Sequence, residues 1–312
     1  MNISKVLLTK NLYENPQRIA FIYNDQKLTY KELYKEVLKR AKNMQYQLTD
    51  KMVLLILENS LDFVTNTLAL WLIGKKIVFI NSKLDYEMMN NIISKYSSFS
   101  ILTKEQHKKK LNTENINRDN IFNIKDFEHD IPENNKKDFL KTCPNTKSEF
   151  ILHTSGSSGI PKGYVHDSNS IFHVCKSYGE KILHLTKYDV IFSPSNMTFA
   201  YGLGNSLYLP LYYGATSILS YNIDILDNLE TCKKNNPTII FGIPYIYKEF
   251  IKIFENYFVP NLSSVRLFVS AAEKMDMITQ EKWYKYFNQN IVESFGSTEL
   301  LHVYISLSLI HI

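Results

Sequence analysis

The residues best suited to chemistry lie in one stretch of eleven, from His153 to Gly163, which is rich in serine and glycine and contains Lys162. Glycines allow the backbone to turn its N–H groups toward a ligand, hydroxyls add neutral donors, and a lysine adds a mobile positive charge. A strand is predicted just before the stretch, over 148–152, and Asp167 and Ser168 are good helix N-caps after it. Together these features suit a polyphosphate ligand.

Two other interpretations of this stretch, a P-loop and a flexible surface loop, must be considered. A P-loop requires G-x-x-x-x-G-K-[ST], but here Ile160 and Pro161 separate Gly159 from Lys162, and Gly163 follows the lysine. That motif is therefore absent. A run of Gly and Ser is also typical of a flexible surface loop, and composition alone does not separate this interpretation from a phosphate site.

The full ordered string resembles the phosphate-binding loop of the adenylate-forming superfamily of AMP-dependent acyl-CoA synthetases, adenylation domains and luciferases. A second string, Phe295-Gly296-Ser297-Thr298-Glu299, is similar to that family's (Tyr/Phe)-Gly-x-Thr-Glu motif. It lies downstream of the first, in the order and at about the spacing that the family requires. Two spaced motifs make the resemblance specific.

The resemblance implies ATP-dependent coupling of a carboxylate to give acyl-AMP, followed by attack of a thiol, with coenzyme A as cosubstrate. Thr298 would bind the α-phosphate, and Glu299 would hold Mg²⁺, a cation that prefers oxygen ligands. An ordinary carboxylate at a helix start is the other interpretation of Glu299. The residues implied in gripping and neutralising the phosphates are Thr154, Ser155, Gly156, Ser157, Ser158, Gly159 and Lys162.

For the nucleoside, the resemblance implies that the backbone of Ala271, Ala272 and Glu273 runs along the adenine and that Phe295, followed by Gly296, lies against the ring. The family usually has glycine at one of the two alanine positions, so this stretch departs from the pattern. An ordinary core aromatic is the other interpretation of Phe295.

Three strings look most like the benzoate-CoA ligase branch and indicate an aromatic acyl substrate. They are residues 199–205, 241–244 and 300–302. They are implied to line a small flat pocket through Ala200, Tyr201, Gly202, Gly242 and His302. Taken singly these residues are weak signals, because aromatic runs and lone histidines are more often structural. One departure affects the substrate: Ser294 stands where that branch tends to have glycine, and its extra atoms either shrink the pocket or bind a polar substituent.

The composition excludes several other classes. The 312 residues carry a formal net charge of +5, from 36 basic and 31 acidic residues, which is too mild and dispersed for a nucleic-acid-binding surface. No apolar run is long enough to span a membrane, and the N-terminus lacks a signal core. Three widely spaced cysteines predict reduced thiols in a cytoplasmic protein.

Uninterrupted apolar strands separated by helices predict an α/β protein with two stacked, mostly parallel sheets and flanking helices. A capping box at Thr29–Glu32 opens one helix, and a second is expected over 60–73 with its stop at Gly74. A long, partly irregular connector is expected over 104–147. Both motifs follow strands, so we expect them to converge on one crevice. The predicted strands are 52–57, 77–80, 150–153, 190–193, 216–219, 238–241, 266–269 and 291–294.

The last six residues, 307–312, match the translated transposon end of sequencing-library adapters, and we interpret them as a non-native tail; a divergent natural C-terminus is the alternative. We expect residues 1–306 to be a partial N-terminal AMP-binding domain, without the C-terminal domain that carries the family's catalytic lysine. The chain is then an inactive fragment. Two further hypotheses are a short noncatalytic nucleotide-binding protein and an adenylation enzyme that loads a carrier protein.

Overall fold

The structure is a computed structural model that describes residues 1–109, 111, 116–130, 136–154, 161–220 and 224–306. Its strands are β1 (Ile19–Tyr23), β2 (Gln26–Thr29), β3 (Met52–Leu57), β4 (Lys76–Asn81), β5 (Phe99–Thr103), β6 (Ile121–Asn123), β7 (Glu149–His153), β8 (Gly163–Asp167), β9 (Val190–Ser193), β10 (Thr216–Leu219), β11 (Ile239–Gly242), β12 (Leu267–Ser270), β13 (Ile291–Gly296) and β14 (Val303–Ser306). Its α-helices are α1 (Ile3–Glu14), α2 (Tyr30–Gln47), α3 (Leu61–Leu72), α4 (Tyr86–Ile93), α5 (Glu105–Lys108), α6 (Lys136–Thr142), α7 (Ser168–Val174), α8 (Ala200–Leu203), α9 (Leu209–Tyr213), α10 (Ile225–Asn235), α11 (Pro244–Asn256) and α12 (Met277–Phe287).

These elements form two compact units. The first comprises Met1–Gln17 and Thr29–Asn169, and the second comprises Arg18–Leu28 and Ser170–Ile312. The first contains a six-stranded sheet in the order β6-β5-β3-β4-β7-β8, and the second an eight-stranded sheet in the order β14-β13-β12-β11-β9-β10-β1-β2. The prediction of two mostly parallel sheets with flanking helices is confirmed. None of the helices within the described ranges combines the length and apolar character that a membrane span requires.

The first unit forms where apolar strands alternate with well-capped helices. Strand β3 matches its predicted bounds and is buried along almost its whole length between β4 and β5, with which it pairs in parallel. The capping box at Thr29 is present at the start of α2. Ser60 caps α3, which ends beside Gly74 at φ +77°, a conformation that suits glycine.

The second unit is organised around Trp283 of α12. Its indole lies 4.8 Å from the ring of Tyr247 and 5.0 Å from that of Phe268, measured between centroids. Tyr247 also donates its hydroxyl to the main-chain carbonyls of Ile240 and Val269, at 3.1 and 2.8 Å. This packing ties α11 and α12 to the ends of β11 and β12, where predicted site residues begin.

The region 104–147 has more regular structure than the sequence predicted. Strand β6 pairs in parallel with β5 at the edge of the first sheet, and short helical turns surround it. The three residues of β6 are only half-buried, so its apolar pattern is too short to stand out from the polar residues around it.

Antiparallel pairs interrupt the mostly parallel pattern, and two of them, missed by the sequence analysis, lie beside the sequence motifs. β8 pairs with β7 in the first unit, and β14 pairs with β13 in the second. The first motif begins at the end of β7 and ends at the start of β8, and the second begins on β13.

A charged cluster follows β3 and β5 in the first unit. Glu58 is 8% exposed and accepts hydrogen bonds from Lys104 and from His107, whose Nε2 lies 3.1 Å from its carboxylate. Lys104 also pairs with Asp62 at 3.3 Å. Burial alone would raise the pKa of Glu58, but the bonds from His107 and Lys104 outweigh it and lower the pKa to about 2.

The main chain is strained just after β12, where Ala272 has φ +78°. The neighbouring Ala271 is buried, and its N–H bonds to the carbonyl of Gly242 at 3.3 Å. An L-residue with a Cβ resists this left-handed conformation, which glycine adopts freely. This is one of the two positions at which the sequence analysis noted alanine in place of the family's glycine.

We expect Ala272→Gly to raise the free energy of unfolding by about 0.5–1 kcal/mol, because relief of the left-handed strain exceeds the entropy that glycine costs. Chemical denaturation monitored by tryptophan fluorescence measures this change. Ala271→Gly is the matched control: it removes a buried methyl group without relieving strain, and should destabilise the fold. Equal losses in both variants would contradict the assignment of strain to Ala272.

We expect Glu58→Gln to remove part of the acid sensitivity of folding. Because the pKa of Glu58 is lowered on folding, its ionised form stabilises the protein above pH 4.5, and that contribution is lost as the pH falls toward 2. The wild type should therefore lose about 2 kcal/mol more than the variant between pH 5 and pH 3. Denaturation curves across this range measure the difference, with Glu87→Gln on α4 as an exposed control. Parallel pH profiles of wild type and Glu58→Gln would rule out the proposed linkage.

Candidate functional site

In the first unit, the serine- and glycine-rich motif begins and ends on the stem of the β7–β8 hairpin. His153 pairs with Gly163 in the strand register. Beyond that pair, the Thr154 N–H donates to the carbonyl of Lys162 at 3.0 Å, and the Lys162 N–H donates to the Thr154 hydroxyl at 3.2 Å. The Lys162 side chain is exposed. The stem therefore places an exposed cation next to the Thr154 hydroxyl.

The other predicted phosphate ligands of the motif lie outside the described residues, and their roles stay predictions. They are Ser155, Gly156, Ser157, Ser158 and Gly159.

In the second unit, His302 forms the centre of an aromatic cluster. Its ring lies 5.2 Å from Tyr178, 5.6 Å from Tyr201 and 6.2 Å from Tyr208, measured between centroids. The histidine is 2% exposed. Its position at the beginning of β14 follows from the hairpin turn after β13, which returns the chain across the end of the sheet.

One strained residue and two glycines provide the space that His302 occupies. Leu301, immediately before His302, has φ +70°, although a bulky residue disfavours that region. A Cβ on Gly204 would lie 2.3 Å from His302 Cδ2, and one on Gly296 would lie 2.6 Å from the His302 carbonyl oxygen. Only glycine fits at either position without displacement, so the motif glycine Gly296 is explained by space.

Two π-helical turns carry other members of the cluster. Tyr178 lies in the turn Cys175–Glu180, and Tyr208 ends the turn Gly204–Tyr208. π-turns inside helices occur often at functional sites, where they redirect side chains. The sequence analysis missed both tyrosines, because neither lies in a motif and a π-turn leaves no distinctive spacing in one sequence.

Burial determines the protonation of the cluster. It lowers the pKa of His302 to about 3, although the main chain of Tyr201 opposes the decrease. It raises the pKa values of Tyr178, Tyr201 and Tyr208 above the ordinary range. All four groups are therefore neutral at pH 7, and they act as hydrogen-bonding groups rather than as charges.

The cluster retains unused hydrogen-bonding capacity. Among the described residues, no partner of good geometry is found for the ring nitrogens of His302, the hydroxyls of Tyr201 and Tyr208, or the side-chain amide of Asn205. Buried polar groups are nearly always paired, and leaving one unpaired costs about 1–3 kcal/mol. These atoms belong to one aromatic cluster, and a polar ligand bound there would supply partners for them.

Ser294 lies at the edge of this cluster and is 8% exposed. Its hydroxyl is 2.9 Å from the Ser306 hydroxyl and 3.4 Å from the Tyr178 hydroxyl. The hydroxyl therefore links β13 to β14 and to the Tyr178 π-turn.

The remaining pocket residues predicted from sequence lie near the cluster. They are one buried alanine and two glycines that approach neighbouring groups closely. Ala200 is buried and precedes Tyr201 on α8. A Cβ on Gly202 would lie 2.1 Å from the Asn196 carbonyl, and one on Gly242 would lie 2.7 Å from the Tyr247 ring. Both glycines are explained by these close approaches.

The predicted nucleotide residues of the second unit follow β12 and β13. Ala272 and Glu273 are exposed, and Phe295 is 56% exposed, with its ring 5.5 Å from that of Tyr304. Phe295 is therefore not a core aromatic. Thr298 is half-buried and Glu299 is exposed in the hairpin turn.

The described residues contain no group of three metal-ligating side chains. Mg²⁺ does not require one, because it commonly binds one or two carboxylates together with substrate phosphates and waters. The exposed carboxylate of Glu299, on the same turn as Thr298, fits that mode of binding.

Known proteins resemble this chain in sequence and in fold. The sequence is 35% identical to the benzoate–CoA ligase of Thauera aromatica over 160 residues, which are 50% of this chain and 30% of that protein. The solved structure of anthranilate CoA ligase AuaEII in complex with anthranoyl-AMP has the same fold, with a TM-score of 0.84 at 22% identity over 99% of this chain and 62% of that chain. So does o-succinylbenzoate CoA synthetase from Bacillus subtilis in complex with ATP and magnesium ion, with a TM-score of 0.79 at 19% identity over 97% and 62%.

This chain thus spans less than two thirds of the length of each of these relatives. The family model described as "AMP-binding enzyme" matches residues 8–310, nearly the whole chain. The chain therefore belongs to the AMP-binding enzyme family.

Proposed function

We propose that this protein takes part in the ATP-dependent activation of an aromatic carboxylic acid to acyl-AMP, followed by thioester formation with coenzyme A. The observation that carries the proposal is the buried, neutral His302 among three tyrosines, with its ring nitrogens available for hydrogen bonding. The benzoate–CoA ligase relative supports an aromatic acid and coenzyme A as the acceptor.

The acyl site is proposed at the His302 cluster. Flat aromatic walls suit a benzoate-like ring, and one nitrogen of a neutral imidazole can donate a hydrogen bond to the substrate carboxylate or to a ring substituent. Because burial holds the pKa of His302 near 3, the donor is neutral at physiological pH. A neutral donor positions the carboxylate without removing the negative charge that makes it nucleophilic.

The nucleotide residues are proposed in each unit separately. In the first unit, the exposed Lys162 and the Thr154 hydroxyl bind phosphate oxygens. In the second, Phe295 lies against the adenine, Ala271, Ala272 and Glu273 run along its edge, and Thr298 binds the α-phosphate. Mg²⁺, held by Glu299, would neutralise the charge that develops on the phosphates.

The cellular setting is proposed to be the cytoplasm. Cys143, Cys175 and Cys232 are all buried free thiols, as is usual where the environment is reducing.

Lys162→Ala and Glu299→Ala should each lower the rate of carboxylate-dependent ATP–pyrophosphate exchange by about 10²- to 10³-fold. Each removes a group that stabilises charge formed in the transition state. The assay is run on the longest protein that the gene encodes, with benzoate and its hydroxy and amino derivatives. Lys176→Ala and Glu281→Ala change exposed residues of the same types and should leave the rate unaffected. Wild-type exchange in Lys162→Ala and Glu299→Ala would overturn the site assignment.

Substitution of Ser294 should change selectivity among aromatic acids. Ser294→Gly removes both the Cβ and the hydroxyl, whereas Ser294→Ala removes the hydroxyl alone, so the pair separates space from hydrogen bonding. If the hydroxyl binds a polar substituent, both variants should shift kcat/KM toward benzoate by about tenfold or more relative to hydroxy- and aminobenzoates. If Ser294 only narrows the site, Ser294→Gly alone should favour larger rings. Unchanged kcat/KM ratios in both variants would show that Ser294 does not determine selectivity.

A further inference from the structure

The end of α4 contacts both sides of the β7–β8 hairpin stem in the first unit. Lys95 Nζ donates to the carbonyl of Pro161 at 2.7 Å, and the Tyr96 hydroxyl lies 2.8 Å from His153 Nε2. Pro161 directly precedes Lys162, and His153 directly precedes Thr154. Lys95 and Tyr96, which follow the end of α4, therefore hold the main chain immediately before Lys162 and immediately before Thr154.

The direction of the Tyr96–His153 hydrogen bond follows from the surrounding groups. His153 Nδ1 lies 3.3 Å from the carbonyl oxygen of Phe79, which only accepts, so Nδ1 carries the hydrogen. His153 is 6% exposed, and burial lowers its pKa, while burial raises the pKa of Tyr96 to about 12. With both groups neutral, Nε2 accepts from the tyrosine hydroxyl, and the imidazole joins β4 to the end of α4.

The Tyr96 hydroxyl also explains a glycine of the motif. A Cβ on Gly163 would lie 2.8 Å from that hydroxyl oxygen and 3.0 Å from Ile151 Cγ2. Gly163 is not among the residues with positive φ. Glycine is therefore required immediately after Lys162 because the Tyr96 hydroxyl occupies the space of a Cβ, and not because of the backbone conformation.

Tyr96 is itself fixed by its surroundings. Its N–H donates to the carbonyl of Ile93 at 3.0 Å, and the N–H of Lys95 donates to that of Ile92 at 3.2 Å. The Tyr96 ring packs against the core cluster that includes Ile92, Ile93 and Ile151. Backbone hydrogen bonds and core packing thus fix the position from which Tyr96 contacts the stem.

We propose that Lys95 and Tyr96 are positioning residues for Thr154 and Lys162, the phosphate ligands proposed on the hairpin stem. Each fixes the main chain one residue before a ligand, which lowers the entropy lost when that ligand is ordered on a polyphosphate. The inference rests on the proposed function, because it requires that Thr154 and Lys162 bind phosphates. Neither residue touches the nucleotide; each acts through the stem.

The test compares ATP with AMP, because misplacement of Thr154 and Lys162 should weaken binding of the β- and γ-phosphates and spare the nucleoside and α-phosphate. Tyr96→Phe and Lys95→Met should each weaken ATP binding by about 2- to 10-fold, the range expected for one lost hydrogen bond, with AMP affinity unchanged. Isothermal titration calorimetry of this chain with each nucleotide and Mg²⁺ measures both affinities. Lys95→Arg, which keeps a donor, should restore ATP binding.

Tyr86→Phe, an exposed tyrosine at the start of the same helix, is the matched control and should bind both nucleotides as the wild type does. If the wild type binds neither nucleotide, the proposed function fails and this inference fails with it. If the wild type binds ATP and the ratio of ATP to AMP affinity is the same in Tyr96→Phe and Lys95→Met, the inference alone is wrong. Equal weakening of ATP and AMP would mean a general structural role and would also overturn it.

A double-mutant cycle provides a second test that does not depend on how well one variant folds. Gly163→Ala should weaken ATP binding in the wild type, because its Cβ displaces the Tyr96 hydroxyl. In the Tyr96→Phe background, where that hydroxyl is absent, the same substitution should cost less. Additive effects of the two substitutions on ATP affinity would show that the hydroxyl and Gly163 are not coupled, contrary to the proposal.

Discussion

The burial of a neutral histidine among tyrosines is the constraint on which the candidate acyl site depends. His302 is 2% exposed, and its charged form would be costly to bury, so its pKa falls to about 3. The ring requires glycine at 204, because a Cβ there would lie 2.3 Å from His302 Cδ2, whereas glycine at 296 leaves space for the main-chain carbonyl of residue 302. The imidazole thus excludes a side chain at position 204.

Left-handed main-chain conformations occur in two of the predicted site segments. Leu301 takes a left-handed conformation immediately before His302, and Ala272 takes one just after β12. Such conformations persist where the surrounding structure enforces them, and they cluster at functional sites. Both occur on the connections that leave the carboxyl ends of neighbouring strands, β12 and β13, which is where ligands bind in open parallel sheets.

In the first unit, hydrogen bonds from the end of α4, rather than aromatic packing, fix the position of the β7–β8 hairpin stem. Lys95 and Tyr96 contact Pro161 and His153, which precede Lys162 and Thr154, and the Tyr96 hydroxyl occupies the space that a side chain at 163 would need. Gly163 and Gly296 are therefore both explained by contacts with neighbouring atoms, although the sequence suggests only that the chain must turn there.

The sequence alone determined the family motifs, the parallel character of the two sheets and most strand positions, because uninterrupted apolar runs and capping residues are local signals. It identified His302, Phe295 and Lys162 by type and order. Only the tertiary structure decided which groups surround His302, because Tyr178 and Tyr208 reach it from π-turns far away in the chain. The antiparallel strands β8 and β14 and the Tyr96–His153 bond likewise depend on contacts between distant residues. Such contacts leave no period or spacing in one sequence, since they are set by which surfaces pack once the sheets have formed.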